Sequence, residues 1–447
     1  MTTQQGEGPS SAYAWYVVGV LTLANVCAFV DRQILALLVV PIRRDLGLSL
    51  TEMSYLIGFP FAVFFTLMGL PIARLADASN RRNIIAVGIA LWSVMTAACG
   101  FAGTFGRLLL ARIGVGVGEA SLQAPASSMV ADYFDRARLG TALSVYQMGI
   151  FLGSGVAYLI GGLVVGLVEN TTDVAWNITV LGASVARPWQ MVFVAVGLPG
   201  LLVALLLLSV REPARRVTGP RTLPLRGVML YVRDHARAFV LLAGGFTLSA
   251  AVNWGIAAFL ATFLIQSHGW TAARAGLVQG ALTVVFGTLG VLAGGRVSDW
   301  LVSRGRVDGP LLVGMIGAAG MLVSATAYPF VQSDSAVIAW LVVVNVFAAF
   351  PWGAVNSAAA EIVPPAMRAQ GIALFYLAVN LVSQMLGPWA VAVITDRVFQ
   401  SDAALGTSLA IVSAAGMTGA IVLIGLARPA YREALLRRDA DGTSQQR

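Results

Sequence analysis

No lysine occurs among the 447 residues, so all 29 basic groups are arginine, and charged residues of either sign make up only 11%. With 58% hydrophobic residues, the chain has too little charge to solvate the surface of an ordinary globular core. A mean hydropathy of +0.80 points instead to a polytopic membrane protein. Histidine is confined to His235 and His268, and cysteine to Cys27 and Cys99. So few such residues exclude a disulfide framework and a metal cluster, and no His/Cys/Asp set for intramembrane catalysis can be assembled. An enzyme is therefore not expected, nor any cofactor. Both cysteines fall in apolar runs and read as small buried hydrophobes. The first twelve residues carry no base, so the opening apolar run reads as a retained helix rather than a cleaved leader.

What is present is apolar length. Twelve runs reach the roughly 20 residues needed to cross a hydrocarbon core: 14–42, 52–75, 84–103, 107–130, 138–164, 188–210, 237–266, 273–298, 309–330, 336–358, 369–394 and 405–427. The fold class expected is all-α, with twelve transmembrane helices in two pseudo-symmetric six-helix bundles. The boundaries are a tail 1–13, a bundle 14–210, a linker 211–236, a bundle 237–427 and a tail 428–447. The net charge of +8 does not imply nucleic acid, because the arginines sit in short connections where they set topology. Most fall on one side, which places both termini in the cytoplasm; Arg43 and Arg44 lie on the other and are outnumbered. Two triplets, at Asn170 and Asn177, match a glycosylation acceptor and read as chance in a chain of bacterial composition.

An internal repeat supports the division into halves. "ARLADASNRRN" from Ala73 and "GRVSDWLVSRGR" from Gly295 each place a small residue four positions before an aspartate, Asp77 or Asp299, with bases beyond. "RLGTALSVY" from Arg138 is echoed by "RAQGIALFY" from Arg368. Two related halves lining a central cavity are a transporter architecture. "GVGVG" in the fourth run is not a nucleotide loop, since no strand precedes it and no lysine follows; glycines there suit close helix packing.

Four charges stand at membrane depth: Asp31 and Arg32 in the first helix, Arg112 and Glu119 in the fourth. Seven residues along a helix is about two turns, roughly 10 Å, so Arg112 and Glu119 share one face, whereas the adjacent Asp31 and Arg32 diverge by about 100°. Such groups are costly in lipid unless they face water or a partner. A carboxylate that alternates between an arginine and an apolar cavity can carry a proton. Glu119 and Asp31 are the expected proton carriers, with Arg32 and Arg112 as partners or anchors for an anionic substrate group. A static ion-pair network joining the two helices is the competing reading. The second half offers polar and aromatic groups instead: Asn253, Trp254, Asn345, Trp352, Asn356 and Asn380. With Tyr146, Arg32 and Arg112, those at 253, 254, 352, 356 and 380 are the expected substrate contacts, an asymmetry suited to an amphiphile.

The chain resembles the major facilitator superfamily and, within it, a bacterial Spinster-like transporter, related to sphingosine-1-phosphate and lysophospholipid transporters. The resemblance rests on the two gate segments, "RPWQMVFVAVGLPG", "REP", the "DRQ" at Asp31–Gln33, "LGLSLTEMSYL" and "ARIGVGVGEASLQAPASSMVADYF". It implies that Asp77 and Asp299 belong to cytoplasmic gates, with Arg81, Arg82 and Arg136 as partners. The first gate departs from the pattern at Ala73, Ala78 and Asn80, and Phe29 stands where the branch has tyrosine. The expected function is proton-coupled, alternating-access export of an amphiphilic organic or lysolipid-like molecule across a bacterial inner membrane by a monomer. The alternatives are a facilitative uniporter of a small organic anion or drug, and a sensor or scaffold that has lost transport.

Overall fold

In hydrocarbon a backbone N–H or C=O finds no water, so a spanning segment must satisfy its polar groups along its own length. The apolar runs accordingly fold as helices. The computed structural model describes residues 11–169, 178–180, 183–185, 187–213, 215, 225–363 and 368–444. In chain order the first helices are α1 (Ser11–Leu37), α2 (Val39–Leu46), α3 (Leu50–Pro60), α4 (Thr66–Ala78), α5 (Arg81–Cys99), α6 (Phe105–Glu119), α7 (Gln123–Tyr133), α8 (Arg136–Glu169) and α9 (Pro188–Leu207). Then follow α10 (Leu225–Asp234), α11 (Ala236–His268), α12 (Ala272–Leu282), α13 (Thr288–Ser303), α14 (Gly309–Ala327), α15 (Asp334–Ala349), α16 (Trp352–Glu361), α17 (Arg368–Val393) and α18 (Leu405–Ser444). A short hairpin, β1 (Ile178–Val180) with β2 (Ala183–Val185), pairs Ile178 opposite Val185. Asn170 and Asn177 lie outside the described residues.

Among the described residues, ten helical segments are long and apolar enough to cross a membrane, which makes the chain an all-α polytopic membrane protein. Two expected spans fall outside that set. The run 107–130 divides into α6 and α7 and carries Arg107, Arg112 and Glu119; the run 138–164 lies within α8. Helix starts follow capping chemistry: the Asn80 side chain accepts from Asn83 N, Thr104 from Arg107 N and Ser333 from Ala336 N.

Two helices are interrupted by a wider π turn, Phe61–Phe65 between α3 and α4 and Thr283–Gly287 between α12 and α13. Phe61 precedes Asp77 by 16 residues and Thr283 precedes Asp299 by 16, so the two turns occupy the same place in the repeat. Each also marks a change of packing partner. The described chain groups into one unit of 1–48, 63–218 and 271–281, and another of 49–62, 219–270 and 282–447. Thus α3 packs in the second unit while α4 belongs to the first, and α12 packs in the first while α13 belongs to the second.

The first unit is centred on Leu21, Trp92, Met129, Tyr146 and Leu207, the second on Phe239, Phe246, Phe375 and Tyr431. In the second unit α18 runs past residue 427 as a continuous helix. Its extension is fastened to the bundle, with Arg428 Nε and Arg432 Nη2 donating to Asp308 Oδ2 at 2.6 and 2.9 Å and Tyr431 OH bonding Glu361. The linker helix α10 holds the adjacent residue, Tyr231 OH donating to Ile362 O at 2.8 Å.

Candidate functional site

The four membrane-depth charges meet in the first unit. The α6 helix ends at Glu119, and a tight turn through Ala120–Leu122 leads into α7, with Leu122 N donating to Glu119 O at 3.2 Å. Gly118 allows α5 and α6 to approach closely beside this turn, because a Cβ there would meet Trp92 N and Gly88 O of α5 at 2.7 and 2.8 Å. Close backbone contact between α5 and α6 thereby fixes the Glu119 side chain, which is 1% exposed. Arg32 Nε donates to Glu119 Oε2 at 2.6 Å, a charge-assisted bond in a buried setting. The guanidinium lies 5.0 Å from the Phe29 ring and 5.5 Å from that of Phe65, so aromatic faces replace part of its hydration.

Arg112, one helical face earlier on α6, donates from Nη1 to the backbone oxygen of Asp31 at 3.1 Å. Asp31 and Arg112 are 2% and 3% exposed. The contacts between the two helices are crossed: the first-helix base takes the fourth-helix acid, and the fourth-helix base holds the backbone of the first-helix acid. A polar chain extends from them, with Gln123 Nε2 donating to Asn25 Oδ1 at 3.1 Å and Tyr146 OH to Gln123 Oε1 at 3.5 Å. Among the described residues, Asn25 Nδ2, Arg112 Nε and Glu119 Oε1 are buried without a hydrogen-bond partner. Such a concentration of unmatched polar atoms is unusual for a helix interface built only for stability.

In the second unit the expected substrate contacts are of mixed character. Asn253 Nδ2 donates to Ser249 O at 3.0 Å, along its own helix. Trp254 and Asn380 are half-buried, and Trp352, at the start of α16, is 42% exposed. The Asn356 side chain lies outside the described residues. Asn345 is held internally, accepting from Thr283 Oγ1 at 2.9 Å and donating to Leu341 O at 2.8 Å.

At the expected first gate, Arg81 is 2% exposed and bonds Asp132 at 2.5 Å, Glu212 at 2.7 Å and Ser128 at 2.8 Å. Arg82 N donates to Glu212 Oε2 at 3.0 Å, and Arg215 holds Ala76 O and Ser79 O at 2.6 and 2.9 Å. The side chains of Asp77 and Arg136 lie outside the described ones, and Asp299 is exposed on α13.

The Major Facilitator Superfamily profile matches residues 21–388. The chain belongs to the Major Facilitator Superfamily. It is an alternating-access transporter rather than an enzyme, and a multi-pass protein of bacterial inner-membrane type. Within the superfamily it is closely related to Spinster homologues. It is 28% identical over 432 residues to an MFS-type efflux pump of Mycolicibacterium smegmatis, covering 95% of this chain and 94% of that protein. It is also 28% identical over 455 residues to human Protein spinster homolog 1, covering 95% and 82%. The crystal structure of a bacterial homologue of the human lysosomal transporter Spinster, inward-facing and unoccupied, superposes with a TM-score of 0.79 at 29% identity, covering 96% of this chain and 99% of that one.

Against this superfamily frame, the residues not singled out from sequence are Asn25, Phe65, Thr96 and Gln123 beside the charges, and Asp132 and Glu212 at the gate. Glu212 lies inside the "REP" segment, where its motif was visible but its partner was not. The neutral residues carried no signal, since an asparagine or threonine in an apolar helix looks the same whether it faces a ligand or a neighbouring helix.

Proposed function

We propose that this protein is a proton-coupled exporter of an amphiphilic, lysolipid-like molecule, working as a monomer with both termini in the cytoplasm. The observation that carries the reading is the Arg32–Glu119 pair, buried at the broken end of α6 beside Arg112 and Asp31. A proton on Glu119 removes the charge that holds Arg32, and a freed guanidinium can take an anionic substrate headgroup or return to the carboxylate. Binding of either partner then shifts the balance between conformations only through its different affinity for each. The kinship with an efflux pump supports the outward direction, and the kinship with Spinster homologues supports an amphiphilic cargo. Trp254 and Trp352 of the second half would suit the tail of such a molecule. Spans in 107–130 and 138–164 would complete twelve crossings in two bundles of six, and the charges in the former are then the functional ones. Asp77 and Asp299, with Arg81, Arg82 and Arg136, form the cytoplasmic gates in this scheme.

The test is reconstitution in liposomes enclosing a pH-sensitive dye, with lysophospholipids and sphingosine-1-phosphate added in turn. Wild-type protein should give a substrate-triggered proton signal and E119Q should not, although both elute as the same folded species. Normal gradient dependence in both E119Q and D31N would sink the assignment of these proton sites.

A further inference from the structure

Helix α3 carries a cap that it does not need for its own stability. At its start, Glu52 N donates to Ser49 Oγ at 3.1 Å and Ser49 N donates to Glu52 Oε2 at 2.9 Å, a complete capping box within one turn. A second carboxylate nevertheless reaches this end from far along the chain. Asp396 Oδ2 accepts from both Thr51 N and Thr51 Oγ1 at 2.7 Å, across 345 residues. Asp396 is presented by a π turn, Ile394–Phe399, that continues α17, and the next residue but three, Gln400, has φ of 51°, the one positive φ of a non-glycine among the described residues. Deeper along the same pair of helices, a Cβ at Gly58 would run into the carbonyl oxygen of Gln384, so the backbones are in direct contact. The Asp396 bonds and this contact account for α3 grouping with α17 while α4 groups elsewhere.

Both partners lie on the face opposite the termini, since each is reached by one crossing, through α1 from the N-terminus and through α18 from the C-terminus. We propose that Asp396 is a releasable latch on that face, holding the outer half of the α3–α4 helix against α17 in one state of the transport cycle. The capping box explains why release is tolerable: Ser49 and Glu52 keep the helix end closed, and water takes over the single Thr51 N–H that Asp396 gives up. A carboxylate on the positive end of a helix also gains from the dipole, which makes the closed latch firmer than a neutral hydrogen bond. The inference rests on alternating access alone and needs neither the proton sites nor the substrate to be as proposed.

The experiment uses full-length protein in lipid nanodiscs, in a C27A/C99A background with spin labels at the exposed positions Tyr55 and Phe399, read by dipolar electron paramagnetic resonance without substrate. With Asp396 present, one short separation should dominate. D396A should raise the ratio of long to short separations about tenfold, the scale expected for losing a carboxylate's bonds to two donors. D396N keeps one acceptor oxygen and should give a smaller rise, and so should T51V, which keeps the backbone bond. S49A/E52Q, which removes the local cap, should leave the ratio unchanged. A rise below threefold in D396A, or an equal rise in S49A/E52Q, overturns the latch, the second because fraying of the helix end would then explain the shift. Should D396A fail to fold, the D396N and T51V ratios decide the same question.

Discussion

At the scale of single residues, the informative test separates what Arg32 does for stability from what Glu119 does for transport. R32A strands a buried carboxylate whose partner sits at 2.6 Å, and breaking such a pair costs about 3–5 kcal/mol. Thermal melting of R32A should therefore fall well below wild type, and R32A/E119Q should recover most of the loss because the stranded carboxylate is gone. E119Q alone should melt near wild type while losing gradient-driven flux. A static network predicts the opposite pattern, in which E119Q loses stability and keeps flux. These residues were legible before any fold was known because a charge in an apolar run has to be explained by a partner or by water. The crossed pairing was not legible: helical periodicity relates Arg112 to Glu119 on one helix but says nothing about which of two neighbouring helices turns its base toward which acid.

At the scale of elements, the close approach of α5 and α6 beside Glu119 depends on Gly118. G118A inserts a methyl group that meets Trp92 N at 2.7 Å, so the helices must separate or the turn must shift, an overpacking cost of about 1–3 kcal/mol. Its melting temperature should drop, and residual transport should drop further than stability alone explains, because Glu119 moves with its neighbour. The all-helical, membrane-spanning character of the chain could be read from apolar length, whereas ten of the twelve expected spans stand as long apolar helices among the described residues. The fourth run shows where that reading stops: 107–130 looks continuous by composition, while a turn through Ala120–Leu122 divides it into α6 and α7. The π turns were equally hidden, since one extra residue in a turn leaves no compositional mark.

At the scale of the whole molecule, the C-terminal extension of α18 is held to its unit by ion pairs of Arg428 and Arg432 with Asp308, and this attachment responds to pH. Burial alone would raise the Asp308 carboxyl; hydrogen bonds from Arg432 and Arg428 outweigh it and hold the group below the usual carboxylate range. A folded-state value lowered in this way contributes stability that is complete above the unfolded value of about 3.9 and is lost as pH falls through the folded one. The difference in melting temperature between wild type and D308N should thus stay constant from neutral pH down to about 5 and shrink below about 4. A difference that grows in acid would assign the attachment to other groups. The repeat itself was visible in the two gate segments, and the paired π turns give it a structural counterpart. They also set a frame. An added residue in a turn rotates everything beyond it by about 100°, so the outer part of each interrupted helix is indexed to one set of neighbours and the inner part to another. Removing one residue from 61–65 would restore a uniform helix and swing the outer part, with Gly58 and Thr51, away from α17. A deletion there should accordingly do more harm than any substitution at the same positions, and the same asymmetry should appear at 283–287, where the second half uses the same interruption.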